Sequence, residues 1–182
     1  IVLNSLSSMS RMRSLISLFL VVAVIYGCEK ESDSNPIPSL ELKGYNVLSD
    51  SFGKDSLIQI YLSYRDGDGD LGLGNDNLAY PFGYTDPYFY NLFVDYYVEE
   101  GGVFIKKANP LSPTKDTIAF HERIQRITPT GKTKWVYGDI TLYIPAFPFG
   151  TQPKKVKFVS YIVDRALNKS RRVSTSEIIL NP

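Results

Sequence analysis

Three aspartates at alternate positions are the residues of this chain best suited to binding a ligand. Asp66, Asp68 and Asp70 are separated by single glycines. In an extended strand all three carboxylates would point the same way, whereas a glycine-containing loop can fold them around one cation. Carboxylate oxygens are the hard ligands that Ca²⁺ prefers. The segment therefore predicts a calcium site. The alternative is a polar turn whose aspartates are solvated.

The aspartate segment differs from the calcium loop of an EF-hand. In an EF-hand loop that began at Asp66, Leu71 would occupy the position of the sharp-turn glycine. Asn77 would occupy the position of the bidentate glutamate. We therefore predict a structural ion and not a helix-loop-helix switch.

Composition favours a strand-rich globular domain. The chain has 182 residues, of which 43% are hydrophobic and 21% charged, and it contains 13 Tyr, 10 Phe and one Trp. Aromatic and β-branched residues favour strands over helices. Without residues 1–27, 18 basic side chains face 19 acidic ones. A nucleic-acid partner is not expected, because binding one needs a clustered basic excess.

The counts of cysteine and histidine exclude several kinds of site. Cys28 is the only cysteine, so an intrachain disulfide and a multi-cysteine zinc site are impossible. His121 is the only histidine, which excludes a histidine cluster and argues against a Ser-His-Asp triad. No spacing among the acidic residues singles out a glycosidase-like pair. We expect no enzyme, with a small hydrolase kept as an alternative.

An apolar run near the start has the length of a secretory signal core. Residues 15–26 are apolar apart from Ser17, and they follow Met12 and Arg13, where translation could begin. The run is shorter than the about 20 residues that span a bilayer. It matches the apolar region of a signal peptide. The alternative is a buried N-terminal helix.

The run ends in Val24-Ile25-Tyr26-Gly27-Cys28, which resembles the lipobox of bacterial lipoproteins. Tyr26 departs from the small residue usual at its position. The resemblance implies a signal peptide over residues 1–27 and lipidation of Cys28. It also implies a lipid-anchored protein of the bacterial outer membrane, facing the cell surface or the periplasm. Residues 28–39 then form the lipidated cysteine and a polar tether that has little to bury.

From residue 40 onward the chain predicts successive strands and no sustained helical period. The predicted strands are separated by turn signals, and one further segment, 117–127, follows a loop. Seven or eight strands at this spacing predict an all-β domain over residues 40–182, built as a two-sheet β-sandwich. The predicted strands are residues 40–48, 57–64, 92–98, 103–107, 135–144, 156–164 and 173–180.

The stretch 161–170 resembles the last hairpin of bacterial Ig-like domains, with its Asp-x-Ala-x-Asn turn. Leu167 stands where glycine is common, which predicts a strained or wider turn. The resemblance implies an Ig-like or fibronectin-like sandwich, in which this turn and the aspartate loop lie at one end. Asp164 and Asn168 therefore join the predicted metal site. The alternative is that these two residues only cap their own turn.

The connection 75–90 is rich in aromatic residues and lies next to the aspartates. Exposed rings in such a loop could stack on sugars, which makes Tyr84, Tyr88 and Tyr90 candidate ligand-binding residues. The alternative is that the aromatic side chains cover the end of the core.

Taken together, these features predict a lipid-anchored envelope or cell-surface protein, stabilised by Ca²⁺. Its expected role is non-catalytic binding, adhesion or accessory function. Its expected partners are the membrane, through the anchor at Cys28, and a glycan or protein at the cell surface. The alternatives are a carbohydrate-binding module of a glycan-uptake system and a small hydrolase.

Overall fold

The structure, a computed structural model, describes residues 35–114, 116–126 and 134–182. The predicted signal peptide and Cys28 lie outside the described residues. The described part of the chain forms two antiparallel sheets and one short 3₁₀ helix, Pro148–Gly150. The predicted all-β sandwich is confirmed, and the Ig-like assignment stays a prediction. In the described ranges, no helix is long and apolar enough to cross a membrane.

The described ranges contain eight strands, and they divide between two sheets. The strands are β1 Ser39–Ser49, β2 Asp55–Asp66, β3 Leu92–Glu100, β4 Val103–Ile105, β5 Val136–Pro145, β6 Lys155–Ile162, β7 Val173–Ser174 and β8 Ile178–Ile179. The first sheet has the order β1-β2-β5. The second has the order β4-β3-β6-β7, with β8 also pairing with β6.

The core consists of alternate residues that point inward from both sheets. Successive residues of a strand point to opposite faces, so every second side chain reaches the interior. Fully burying one such aliphatic or aromatic side chain contributes about 1.5–3 kcal/mol to stability. The buried residues from the central strands are Ile58, Ile60, Leu62 and Tyr64 of β2, Leu92, Val94, Tyr96 and Val98 of β3, and Val156, Phe158 and Ile162 of β6.

Segment 117–126 runs beside β3 without forming a regular strand. It meets β3 through isolated pairs, Ala119 with Asp95 and Glu122 with Leu92. Its next backbone groups bond elsewhere: the carbonyl oxygen of Ile124 accepts from the backbone N–H of Leu73 at 2.9 Å. The segment therefore joins the edge of the second sheet to the loop that follows the aspartates.

The last predicted strand, 173–180, is divided into β7 and β8. The side chain of Thr175 is buried, and its hydroxyl oxygen accepts from the backbone N–H of Phe158 at 3.1 Å. A side chain thus occupies a backbone N–H that a continuous ladder would use, and the strand is interrupted there.

The folded unit begins before Leu40. Pro38 is buried, and the carbonyl oxygen of Pro36 accepts from the side-chain amide of Asn168 at 3.2 Å. Ser39 pairs with Arg65, near the end of β2. The chain therefore enters the sandwich at the end where the aspartate loop and the turn at 164–168 lie.

Candidate metal centre

The structure brings Asp66, Asp70 and Asp164 together at one end of the sandwich. Asp66 is the last residue of β2, Asp70 lies in the loop that follows, and Asp164 comes two residues after β6. One carboxylate oxygen from each lies within 4.8 Å of the others. Opposite ligands of Ca²⁺ are about 4.6–5.2 Å apart, so the three oxygens are close enough to share one ion.

Asp66 is completely buried, and one of its oxygens has no donor. Its Oδ2 accepts from the backbone N–H of Leu71 at 2.7 Å. Its Oδ1 is buried and accepts no hydrogen bond from any residue that the structure describes. A buried acceptor without a donor loses the free energy of its contact with water, about 1–3 kcal/mol and more for a charged group.

Asp70 shows the same pattern. Its Oδ2 accepts from the backbone N–H of Ala166 at 3.0 Å, which joins the aspartate loop directly to the 164–168 turn. Its Oδ1 is buried and has no donor within the described ranges. Two carboxylate oxygens are therefore left over in this group after the protein's own hydrogen bonds have been made.

Asn168 orients Asp164. The backbone N–H of Asn168 donates to Asp164 Oδ1 at 2.7 Å, and its side-chain amide donates to Asp164 Oδ2 at 2.9 Å. The turn cap that the sequence offered as an alternative is therefore present. Asn168 turns its amide nitrogen toward Asp164, so it contacts the acidic group as a donor that orients the Asp164 carboxylate.

Asp68 lies at the exposed rim of the acidic group. Its negative charge contributes to the raised pKa values of Asp66, Asp70 and Asp164. Asp68, a predicted metal ligand, is thus not one of the three carboxylates whose oxygens lie within 4.8 Å of one another, although its charge acts on all three.

Burial sets the protonation of the acidic group. It raises the pKa of Asp66 to about 6, with the neighbouring charges of Asp68 and Asp70 acting in the same direction and the Leu71 N–H opposing them. Burial is also the main cause of the raised pKa of Asp70 and of Asp164. The charged forms are disfavoured in this site, and a bound cation would favour them.

Glycine at position 72 lets the loop approach segment 117–126 closely. Its φ is +95°, and a Cβ there would lie 2.5 Å from the carbonyl oxygen of Gln125. The carbonyl oxygen of Gly72 accepts from Arg165 Nη1 at 2.9 Å. The loop therefore contacts the 164–168 turn through Gly72 as well as through Asp70, and a larger residue at 72 would displace it.

The three candidate tyrosines are not arranged as one flat platform. Tyr84 is 83% exposed and Tyr90 40% exposed. Both meet the ring of Phe89 edge-on, at centroid distances of 5.2 and 5.0 Å. Tyr88 is half-buried and packs edge-on against Phe93.

Arg123 fixes the shape of the aromatic connection, and nothing in its sequence context predicted this role. Its guanidinium donates to four carbonyl oxygens: Phe89 at 2.6 Å, Asn77 at 2.9 Å, and Phe82 and Gly74 at 3.3 Å. Its central carbon also lies 4.9 Å from the centroid of the Phe89 ring. One side chain thus joins both ends of residues 74–89 to segment 117–126.

His121 has a structural position. Its Nδ1 accepts from the backbone N–H of Val94 at 3.0 Å, and its ring packs against Phe93. Burial lowers its pKa, which favours the neutral ring. The imidazole therefore contributes a hydrogen bond to the edge of β3.

Comparison with protein-family models, with curated proteins and with solved structures finds no match to this chain.

Proposed function

We propose that this chain is a lipid-anchored envelope protein whose β-sandwich binds one Ca²⁺ ion between two loops. The observation that carries the calcium site is the Oδ1 atom of Asp66, which is buried among carboxylates and accepts no hydrogen bond from a described residue. A carboxylate in that position needs a proton or a cation. At neutral pH the three carboxylates of Asp66, Asp70 and Asp164 together favour a cation.

The chemistry of the ligands favours Ca²⁺ over other metals. All available side-chain ligands are carboxylates, which suit hard cations rather than Zn²⁺ or Cu²⁺. Ca²⁺ takes six to eight oxygens in flexible geometry, and the irregular loop 66–74 can add backbone carbonyls or water to its side chains. Mg²⁺ demands a smaller octahedral shell and gives up its water less readily.

The proposed ion has a structural role. Asp66 and Asp164 are buried, so they are screened from a large substrate, and the ion would join the end of β2 to the turn after β6. The lipobox-like stretch before Cys28 supports attachment to a membrane. With several acyl chains the attachment would be stable. We propose for this anchored domain a non-catalytic binding, adhesion or accessory role.

The test is a calcium titration of residues 28–182, carrying Cys28→Ser to prevent lipidation. Thermal unfolding is measured in EDTA and in millimolar CaCl₂, and binding is measured by calorimetry on metal-stripped protein. An ion that binds only the folded state adds about 2.7 kcal/mol at a hundredfold excess over its dissociation constant. We expect a higher midpoint in calcium and a smaller shift in magnesium.

Two variants make the test specific. Asp66→Asn should abolish the calcium-induced shift, and in EDTA it should be at least as stable as the wild type, because it removes a buried charge. Asp139→Asn is the matched control, since Asp139 is exposed on β5. It should keep the full calcium response. Identical unfolding curves in calcium and in EDTA would refute the metal site.

A further inference from the structure

The connection 75–90 exposes four large apolar side chains. Leu78 is 66% exposed, Tyr80 80%, Tyr84 83% and Tyr90 40%. Single exposed apolar residues are common on protein surfaces, whereas a contiguous apolar patch marks a site at which a partner or a membrane binds. Tyr84 and Tyr90 are neighbours in space, since both contact the ring of Phe89. We call Leu78, Tyr80, Tyr84 and Tyr90 the aromatic surface.

The backbone beneath the aromatic surface is held in one shape. Arg123 bonds to carbonyl oxygens near both ends of the connection, as described above. Within it, the backbone N–H of Tyr88 donates to the carbonyl oxygen of Pro81 at 3.0 Å, and that of Asp86 donates to Gly83 at 2.9 Å. The exposure of these rings is therefore a feature of an ordered segment.

The aromatic surface shares its end of the sandwich with the entry of the chain. Asn168 donates to the carbonyl oxygen of Pro36, and the next residue, Lys169, places its Nζ 5.4 Å from the ring centroid of Tyr88. The connection 75–90, the turn at 164–168 and the first described residues are therefore neighbours.

The number of residues between Cys28 and Pro36 limits how far from the lipid the entry of the chain into the sandwich can lie. Pro36 lies eight residues after Cys28. Eight extended residues span at most about 28 Å. The opposite end of the sandwich, where Gly101 and Gly102 join β3 to β4, lies farther away by the length of β3, about 30 Å for nine residues. An anchor at Cys28 therefore limits the distance from the bilayer more tightly for the chain's entry at Pro36, and for the aromatic surface at the same end, than for the β3–β4 turn.

We propose that the aromatic surface rests in the headgroup region of the membrane in which Cys28 is anchored. The inference depends on the proposed lipidation of Cys28. A tyrosine combines an apolar ring with a polar hydroxyl, which suits the boundary between hydrocarbon and water. The rings around Phe89 meet edge-on, at interplanar angles of 70° and 77°, so they suit a lipid interface better than a flat sugar-stacking platform.

The test uses the full-length protein, processed and lipidated in a bacterium and reconstituted into vesicles of phosphatidylethanolamine and phosphatidylglycerol. Because lipidation consumes the only thiol, a cysteine introduced at one position can be labelled selectively with an environment-sensitive fluorophore. The two labelled variants are Tyr84→Cys, on the aromatic surface, and Val103→Cys, which is 60% exposed beside the β3–β4 turn. Leu78→Cys replaces Tyr84→Cys if the latter does not fold.

At position 84 we expect emission at shorter wavelength in vesicles than for the same labelled position in an unlipidated Cys28→Ser protein in buffer, and strong quenching by a nitroxide-labelled lipid. At position 103 we expect neither effect. Equal, water-like emission at both positions of an acylated protein would overturn the inference and leave the proposed anchoring intact. An unmodified Cys28, seen by mass spectrometry, would refute the anchoring and the inference together. A change at position 84 that is produced by envelope polysaccharide but not by lipid would overturn the inference in favour of a glycan.

Discussion

Asp66 and Asp164 lie at the ends of strands from different sheets, yet an oxygen of one carboxylate lies within 4.8 Å of an oxygen of the other. Asp66 ends β2 of the first sheet, and Asp164 follows β6 of the second. Both side chains are buried, at 0% and 1% exposure. The acidic group therefore spans the gap between the sheets, and its charge state bears on how firmly that end of the sandwich is closed.

The pH dependence of stability in EDTA should reveal the acidic group. Burial raises the pKa of Asp66 from 3.8 to about 6, so between these values the folded state holds a proton that the unfolded state has released. The stabilisation from this proton is complete at low pH and is lost as the pH rises through about 6. Asp70 and Asp164 act in the same direction. Relative to Asp66→Asn, the wild type should lose on the order of 2 kcal/mol between pH 4 and 7.

Denaturant unfolding of both proteins in EDTA, at half-unit pH steps, measures this difference. The groups that face Asp66 or its neighbours are Asp68, Asp70, Asp164 and Arg165. They are the same in both proteins. Saturating calcium should remove the loss, because the ion binds the deprotonated form. A difference that does not change with pH would mean that Asp66 ionises with an ordinary pKa.

Arg123→Lys should loosen the aromatic connection. A lysine ammonium cannot reproduce the planar fork that reaches four carbonyl oxygens, although it keeps the charge. We expect a loss of about 2–3 kcal/mol in the free energy of unfolding, since hydrogen bonds to charged groups contribute about 1.5–3 kcal/mol. Hydrogen exchange should quicken at the amides of Phe82, Asp86 and Tyr88, which bond within the connection.

Arg171→Lys is the control for Arg123→Lys, because Arg171 is exposed. Its effect should stay within about 0.5 kcal/mol. If exchange in residues 75–90 is as slow in Arg123→Lys as in the wild type, Arg123 does not determine the shape of the connection.

Leu167→Gly should stabilise the domain. Leu167 has a φ of +69°, in the left-handed region, as the departure from glycine at this turn suggested. A side chain there adds about 1–2 kcal/mol of strain, while glycine adds about 0.5–1 kcal/mol of unfolded-state entropy. Leu167 is 40% exposed, so replacing its side chain by hydrogen loses little packing. The expected net gain is about 0.5–1 kcal/mol in urea unfolding.

The control here is Leu167→Ala, which keeps a Cβ and should show no gain. Equal stabilisation by alanine and glycine would show that the leucine side chain, and not the backbone angle, is the source of the strain.

Lipidation at Cys28 predicts detergent partitioning and an acyl mass on the peptide that begins at that residue. Cys28→Ala should abolish both. Limited proteolysis of the lipidated protein should then cut before Asn35, because Pro38 is buried and Pro36 bonds to Asn168. A stable fragment that begins only at Ser39 would contradict this boundary. A wild-type protein that keeps residues 12–27 would contradict the anchor itself.

Much of the fold was predictable because β-structure has a local signature. The alternation of Ile58, Ile60, Leu62 and Tyr64 determines which face of β2 is buried, whatever the strand pairs with. Segment 117–126 was harder to predict. Some of its backbone hydrogen bonds go to β3 and others to the loop after Asp70. The residue types within the segment do not indicate this arrangement.

The candidate metal centre was also predictable only in part. The spacing of Asp66, Asp68 and Asp70 already showed that three carboxylates lie within five residues, and the resemblance at the last hairpin predicted Asp164 and Asn168 near them. Three features became visible only in the folded protein: Asp66 is fully buried with an oxygen that accepts no hydrogen bond from a described residue, Asn168 turns its amide toward Asp164, and Arg123 holds the aromatic connection. The reason is physical: spacing along the chain sets which residue types can meet, whereas burial and unpaired acceptors depend on how two sheets and three irregular loops pack against one another.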